Sequence, residues 1–243
     1  MVRFFVDPEQ MQSDFFVLTG ENADHARVLR LKAGENVIVC DGKGRECSCT
    51  VCDMSPGQVS LVVNDRMASE SEPAVKASVY IAFPKGDKLE HVIQKATELG
   101  ANEIVVFPSL RCVSKPDDKS IQKKIIRWQK IAASAAEQSG RGAIPDVIVL
   151  GSYEEALSRA SKSDIKILFY ENERATTLKM ALREHTYTTV SLITGPEGGF
   201  ETAEVAKAVD MGLQICTLGK RILRCETAPL CALSAVMYDS GEF

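Results

Sequence analysis

The sequence predicts an α/β protein: a parallel-sheet domain preceded by a smaller, mostly β segment. Three observations carry that expectation. From Ala74 onward, apolar strand-like runs alternate with amphipathic helical stretches, the rhythm of a parallel sheet covered on both faces. Before about residue 70 the runs are short, β-type and separated by turn residues. Two loops near the C-terminus, Thr194-Gly195-Pro196-Glu197-Gly198-Gly199-Phe200 and Leu218 to Pro229, each follow an apolar run and open a helical one.

In the first segment, β-type runs fall at Phe15–Leu18, Asn36–Cys40, Glu46–Cys52 and Gln58–Asn64. Asp41-Gly42-Lys43-Gly44 and Ser55-Pro56-Gly57 supply turns, and a helical turn or two is expected at Glu21–Arg30. This spacing predicts a small, mostly β barrel. The polar stretch Met67–Pro73 is the natural linker, dividing the chain into residues 1–70 and 74–243.

The second segment opens with a strand at Ala77–Phe83 and a helix whose Leu89, Val92, Ile93, Ala96 and Leu99 recur at helical spacing up to Gly100. A strand at Ile104–Phe107 follows, then a helix over Ser120–Gln138 with Ile121, Ile125, Trp128, Ala132 and Ala135 on one face. The strand Val147–Leu150 leads to Ser152-Tyr153-Glu154-Glu155, a capping-box pattern. Strands at Ile165–Tyr170, Thr189–Ile193 and Leu213–Leu218 alternate with helices at Thr177–Glu184, Glu201–Met211 and Pro229–Asp239. Thr227 is expected to cap the last helix, with Pro229 in its first turn.

Bulk properties bound the function. A chain of 243 residues with formal net charge -4 has ample length for a real core and argues mildly against indiscriminate nucleic-acid binding. No apolar run is long enough to span a membrane, and the first residues lack the pattern of a secretory signal, so a cytoplasmic protein is expected. Of the eight cysteines, Cys40, Cys47, Cys49 and Cys52 cluster, but Glu46–Cys52 reads as a strand on which Cys49 and Cys52 face opposite ways. They are read as small hydrophobic residues rather than a zinc or redox site. His25, His91 and His185 have no metal-ligand spacing, and no metal is expected.

The two C-terminal loops define a candidate cofactor site. Their glycines allow sharp turns and close approach to a ligand, and loops at successive strand ends would lie side by side at the carboxyl edge of a parallel sheet. The first is neither Gly-x-Gly-x-x-Gly nor a Walker A loop, which argues against a dinucleotide or nucleotide-hydrolysing site. In the second, Ile222 and Leu223 would wall an adenine whose edge meets backbone amides, while Lys220, Arg221 and Arg224 add three cations.

Gly195-Pro196-Glu197-Gly198-Gly199-Phe200 followed by Leu218-Gly219-x-Arg221-Ile222-Leu223-Arg224-x-Glu226-Thr227-Ala228-Pro229-Leu230 resembles the RsmE family of bacterial 16S rRNA (uridine-N3) methyltransferases. Lys95–Gly100, Ala136–Arg141 and His25–Gly34 match further family segments, so the resemblance covers nearly the whole chain. Lys220 stands where proline is common and Cys225 where threonine is common. The resemblance implies a SPOUT-type parallel sheet with a C-terminal trefoil knot, an N-terminal PUA-like β-barrel for RNA, S-adenosyl-L-methionine as cofactor, and a homodimer. It implies 16S rRNA, within the assembled small ribosomal subunit, as partner.

Under that resemblance, Thr194, Gly195, Pro196, Glu197, Gly198, Gly199, Leu218, Gly219, Arg221, Ile222 and Leu223 are the expected cofactor contacts. Uridine N3 carries a proton with a pKa well above neutrality, so the reaction needs that proton removed and the anion stabilised. Arg141 or Arg224 is the candidate for stabilising the anion, and Glu98 or Glu137 for assisting deprotonation. Arg3, Arg27, Arg30, Lys32, Lys43 and Arg45 are the candidate RNA contacts, and the target base must be unstacked to expose N3. Two other readings share the fold: a related knotted methyltransferase acting on ribose 2′-OH or transfer RNA, and a catalytically silent RNA-binding assembly factor.

Overall fold

The computed structural model describes residues 1–113, 118–183 and 186–243. Glu184, the expected end of one helix, and His185 lie outside the described residues. The chain forms two compact units, residues 1–72 with 136–144, and residues 73–135 with 145–243.

The first unit is a five-stranded mixed sheet with an α-helix and a short 3-10 helix at Pro8–Gln12. Strands β1 (Val2–Phe5), β2 (Phe15–Thr19), β3 (Asn36–Cys40), β4 (Arg45–Ser55) and β5 (Gln58–Ala68) are ordered β1-β3-β4-β5-β2. β1 joins β3 in parallel and the other pairs are antiparallel. Side-chain alternation turns Cys47, Cys49 and Val51 of β4 and Val59 and Leu61 of β5 toward a core shared with Phe4, Phe16 and Leu18. Register shifts leave Asn64 of β5 unpaired opposite Ser48/Cys49 and Cys52 of β4 unpaired between Val51 and Asp53, irregularities that bend the two strands. The cysteines behave as small apolar groups, with burial pushing the Cys40 and Cys49 thiols up to about 12.

Helix α1 (Glu21–Val28) ends in a Schellman motif: Leu31 N–H reaches Ala26 O at 3.2 Å and Arg30 N–H reaches Arg27 O at 3.0 Å. Arg30 sits at the left-handed position of that motif, with φ +56°, where glycine is usual. Two features departed from the sequence expectation. β1 was not anticipated, because its parallel pairing with β3 is long-range. β5 runs on to Ala68, where exposed residues show no alternation to read.

Residues 136–144 complete this unit. Glu72 gathers them: its carboxylate accepts from Arg141 Nη2 at 2.6 Å and from the Gly142 and Ala143 amides at 3.0 Å each. Gly44 N–H donates to Gly142 O and Ile144 N–H to Gly42 O, at 3.1 and 2.9 Å.

The second unit is a six-stranded sheet made of β6 (Lys76–Ala82), β7 (Glu103–Phe107), β8 (Asp146–Val149), β9 (Ile165–Phe169), β10 (Thr189–Thr194) and β11 (Gln214–Cys216). Every pairing is parallel, in the order β11-β9-β10-β6-β7-β8. Unbroken buried runs such as Ala77–Ala82 show that helices cover both faces. Helices α2 (Lys88–Glu98), α5 (Leu178–Arg183) and α7 (Thr227–Asp239) pack together, while α4 (Tyr153–Ala160) meets β7 and α6 (Thr202–Asp210) meets β11. Helix α3 spans Asp118–Ser139. At Ser152 half of the expected capping box forms: its hydroxyl accepts from Glu155 N–H at 3.1 Å, but the Glu155 carboxylate accepts from Gly151 N–H at 2.9 Å rather than from Ser152. At α7 the cap is Glu226 rather than Thr227, which is already the first helical residue. Among the described residues no helix is long and apolar enough to cross a membrane.

Candidate cofactor cavity

A cavity of about 520 Å³ opens at the carboxyl edge of the second unit's sheet, a size suited to a small-molecule ligand. It is lined by Thr194–Phe200, by Thr217–Gly219 and Arg221–Cys225, and by Phe169–Glu171 with Arg174. Every residue expected from the sequence to contact a cofactor therefore lines this cavity. The strands that carry the two loops are not neighbours, however. β9 stands between β10 and β11, so the segment after β9 lies between them. Sequence order cannot reveal that insertion, which is why Phe169, Tyr170, Glu171 and Arg174 were missed.

The first loop is held close by its glycines. A Cβ on Gly195 would stand 3.2 Å from the Gly199 carbonyl carbon, and one on Gly198 would stand 3.1 Å from Arg111 Cβ. Gly199 has φ +67°, and a Cβ there would meet Glu171 Oε1 at 2.3 Å. Arg111 braces the loop from outside, donating to Gly198 O at 2.7 Å and to Glu201 at 2.8 Å. Phe200 is buried against Tyr153, which lies against Phe107. Tyr153 hydroxyl donates to Glu204 O, and buried Glu204 accepts from the Leu110 and Glu201 amides, so both of its oxygens are satisfied.

The second loop turns at Gly219, with φ +110° and open space where a Cβ would point. Thr217 hydroxyl fastens the turn by accepting from Gly219 N–H and donating to Gly219 O. Leu223 is half-buried and Ile222 is 82 % exposed, giving an apolar lip to the cavity. An open, glycine-backed turn beside apolar side chains fits an adenosine-bearing ligand.

Lys88, at the start of α2, ties the two loops together. Its ammonium lies 2.8 Å from Glu197 of the first loop and 3.5 Å from Glu226 of the second. Burial opposes ionisation of Glu197, but Lys88, the Lys85 amide and its own amide outweigh it and bring the pKa down to about 2. Cys225 is pushed up to about 12 by burial and by its hydrogen bond to Glu226, so its thiol stays protonated. Lys88 also escaped the sequence reading. Its signal was the Pro84-Lys85-Gly86 turn after β6, the same kind of strand-end punctuation that marked the two loops.

The candidate catalytic residues separate. Arg224 lines the cavity, is exposed, and its side chain makes no hydrogen bond or ion pair with a described residue. Glu98 does not line it. Lys88 does, and Glu98 lies ten residues further along α2, about 15 Å at 1.5 Å per residue, with its carboxylate on Lys95 at 2.7 Å. Arg141 belongs to the first unit, 4 % exposed and paired with Glu72, and Glu137 of that unit stands 2.8 Å from His25 Nδ1.

The candidate RNA residues also differ among themselves. Arg3 is nearly buried, its guanidinium bonded to Glu46 and, at 2.9 Å, to Cys40 Sγ. Arg27 pairs with Asp24 at the surface and Arg45 with Asp41. Arg30, Lys32 and Lys43 have no side-chain partner among the described residues. Among the described residues no group of three or more His, Cys, Asp or Glu is arranged to hold a metal.

Comparison with known proteins agrees with this geometry. Residues 70–237 match an RNA methyltransferase domain, and residues 18–64 match an RNA methyltransferase PUA domain. Ribosomal RNA small subunit methyltransferase E of Bacillus subtilis is 37 % identical over 99 % of this chain and 97 % of its own. The structure of that enzyme from Neisseria gonorrhoeae bound to S-adenosyl methionine superposes with a TM-score of 0.88 at 32 % identity, covering 98 % of this chain and 97 % of its own. A Legionella pneumophila protein solved with the same cofactor gives 0.84 at 29 % identity over 98 % and 97 %. Full-length similarity and both domain matches lead to one assignment: the chain belongs to the ribosomal RNA small subunit methyltransferase E family.

Proposed function

We propose that this protein uses S-adenosyl-L-methionine to methylate N3 of a uridine in 16S rRNA, within the small ribosomal subunit in the cytoplasm. The reading includes a homodimer, a trefoil knot in the methyltransferase domain (residues 74–243) and RNA binding by the N-terminal domain (residues 1–70). The observation that carries it is the cavity built from two glycine loops and bridged by Lys88, in a chain of this family. Main-chain groups of Thr194–Gly199 and Leu218–Leu223 would hold the cofactor, with Leu218, Ile222 and Leu223 against its adenosine. When bound, the cofactor supplies an electrophilic methyl group on a positively charged sulfur.

This chain's own groups have two tasks. They must exclude water from the reacting edge of the base, and they must stabilise the negative charge that appears when N3 loses its proton. Arg224 suits the second, because a guanidinium with no partner among the described residues keeps its donors for the O2 and O4 oxygens of the uridine. Glu98 is left out of this scheme by its distance from the cavity. Arg141 serves instead to hold residues 141–143 to Glu72.

The test is mass spectrometry of nucleosides from 16S rRNA of strains with and without the gene. Absence of 3-methyluridine from the deletion strain, restored by the wild-type protein and not by Arg224→Gln, is the expected result. Loss of a 2′-O-methyl nucleoside instead would transfer the assignment to the ribose. An unchanged 16S nucleoside profile would leave the transfer-RNA methyltransferase and the silent assembly factor.

A further inference from the structure

Helix α3 carries the most one-sided charge in the chain. From Lys119 to Ala136 it holds Lys119, Lys123, Lys124, Arg127 and Lys130 and no acidic residue, in a protein with 29 basic and 33 acidic side chains. Spacings of four and three residues put Lys123, Arg127 and Lys130 on one stripe, about 10 Å long at 1.5 Å per residue, with Lys124 at its border. All four are exposed. The opposite side of the helix is fixed to the second unit. Trp128 and Ala132 are buried there, and the Gln129 amide bonds Pro145 O and Val147 N–H at 3.0 Å each.

Two further facts separate this stripe from an ordinary solvated face. Lys123 and Lys124 have no carboxylate partner among the described residues, so their charge is not neutralised locally. Arg127 donates to Glu90 at 2.7 Å, which sets the stripe beside the first turn of α2, two residues from the cavity-lining Lys88. Two uncompensated lysines, continued along the helix by Arg127 and Lys130, give a cationic stripe complementary to a phosphodiester backbone.

We infer that the Lys123–Lys124–Arg127–Lys130 face of α3 docks the phosphate backbone of the ribosomal RNA substrate, as a second RNA contact surface besides the N-terminal domain. The inference rests on the proposed methyltransferase reading and adds to it where the RNA lies. Docking there contributes affinity and register, and its signature is salt dependence, since each phosphate neutralised releases condensed counterion.

The experiment measures binding of 16S rRNA, naked and in small subunits, both prepared from a deletion strain, across a salt series. It compares wild type, the Lys123→Gln/Lys124→Gln double variant and the Lys123→Arg/Lys124→Arg double variant. The glutamine variant should lower the magnitude of the log K against log salt slope by about 0.7 for each lost contact on single-stranded RNA. The arginine variant should restore it, and cofactor affinity and melting temperature should stay at wild-type values in both. An unchanged slope in a glutamine variant that is otherwise wild type overturns the inference while leaving the methyltransferase reading intact. Loss of subunit binding alone, with naked RNA unaffected, would also overturn it and point to an acidic ribosomal protein. A wild-type protein that binds neither RNA and transfers no methyl group would overturn the reading and the inference together.

Discussion

Replacing Lys88 by methionine removes the ammonium that Glu197 and Glu226 share, while keeping most of the aliphatic stem. Glu197 falls from the ordinary 4.5 to about 2, which corresponds to about 3 kcal/mol at about 1.36 kcal/mol for each pKa unit. That figure overstates what Lys88 supplies. Two backbone amides share the work, and Glu197 is an exposed residue screened by solvent, so about 1 kcal/mol belongs to the pair. If the bridge fixes the spacing of the two loops, that energy appears as a roughly fivefold weaker hold on the cofactor, since about 1.4 kcal/mol is tenfold. Titration calorimetry with S-adenosylmethionine reads it directly, and a double-mutant cycle with Glu197→Gln should return a coupling of about 1 kcal/mol. The pH dependence has a definite sign. Glu197 is lower in the folded protein than unfolded, so its contribution is complete above about 4.5 and is lost as pH falls toward 2. Without Lys88 the acid limb of cofactor affinity should move to higher pH. Strict additivity of the two substitutions, or an unmoved acid limb, would refute the bridge as the element that spaces the loops.

Four other outcomes are expected. Arg141→Met leaves Glu72 facing two amides without its cation and should destabilise the protein by about 3 kcal/mol, as breaking a buried pair does; thermal unfolding with cofactor affinity measured alongside checks this. Glu98→Gln should leave turnover within about twofold of wild type, because it removes only a half-buried i,i+3 pair worth about 0.5 kcal/mol; a hundredfold loss would restore it as a catalytic candidate. Gly199→Ala should cost about 1–3 kcal/mol from its left-handed backbone, together with a clash at Glu171, and should weaken cofactor binding and stability together. Arg30→Gly should raise stability by about 1 kcal/mol by relieving the left-handed strain at the end of α1, yet weaken rRNA binding if that side chain touches phosphate; unchanged RNA affinity would remove Arg30 from the contact set.

The sequence revealed what periodicity and punctuation encode. Strand alternation exposed the N-terminal sheet, unbroken apolar runs exposed the parallel one, and the glycines of the two C-terminal loops located the cavity before any coordinate was known. Strand order was not legible, because β9 reaches its place between β10 and β11 through pairing that no local pattern records. Glu171, Arg174 and Lys88 were therefore invisible as site residues although each follows a strand end. Charge type was legible and charge partner was not. Arg3, Arg141 and Arg224 look alike in a sequence, but the fold engages the first two with Glu46 and Glu72 and leaves the third open to the cavity.

The return of residues 136–144 to the first unit has a consequence for synthesis. The backbone passes between the units at 72–73, 135–136 and 144–145. A nascent chain that has delivered all five strands of the small sheet still lacks the amides and guanidinium that Glu72 awaits. The N-terminal module thus matures only after more than half the polypeptide has left the ribosome, and a fragment cut after the last of those strands would be missing one wall of its own structure.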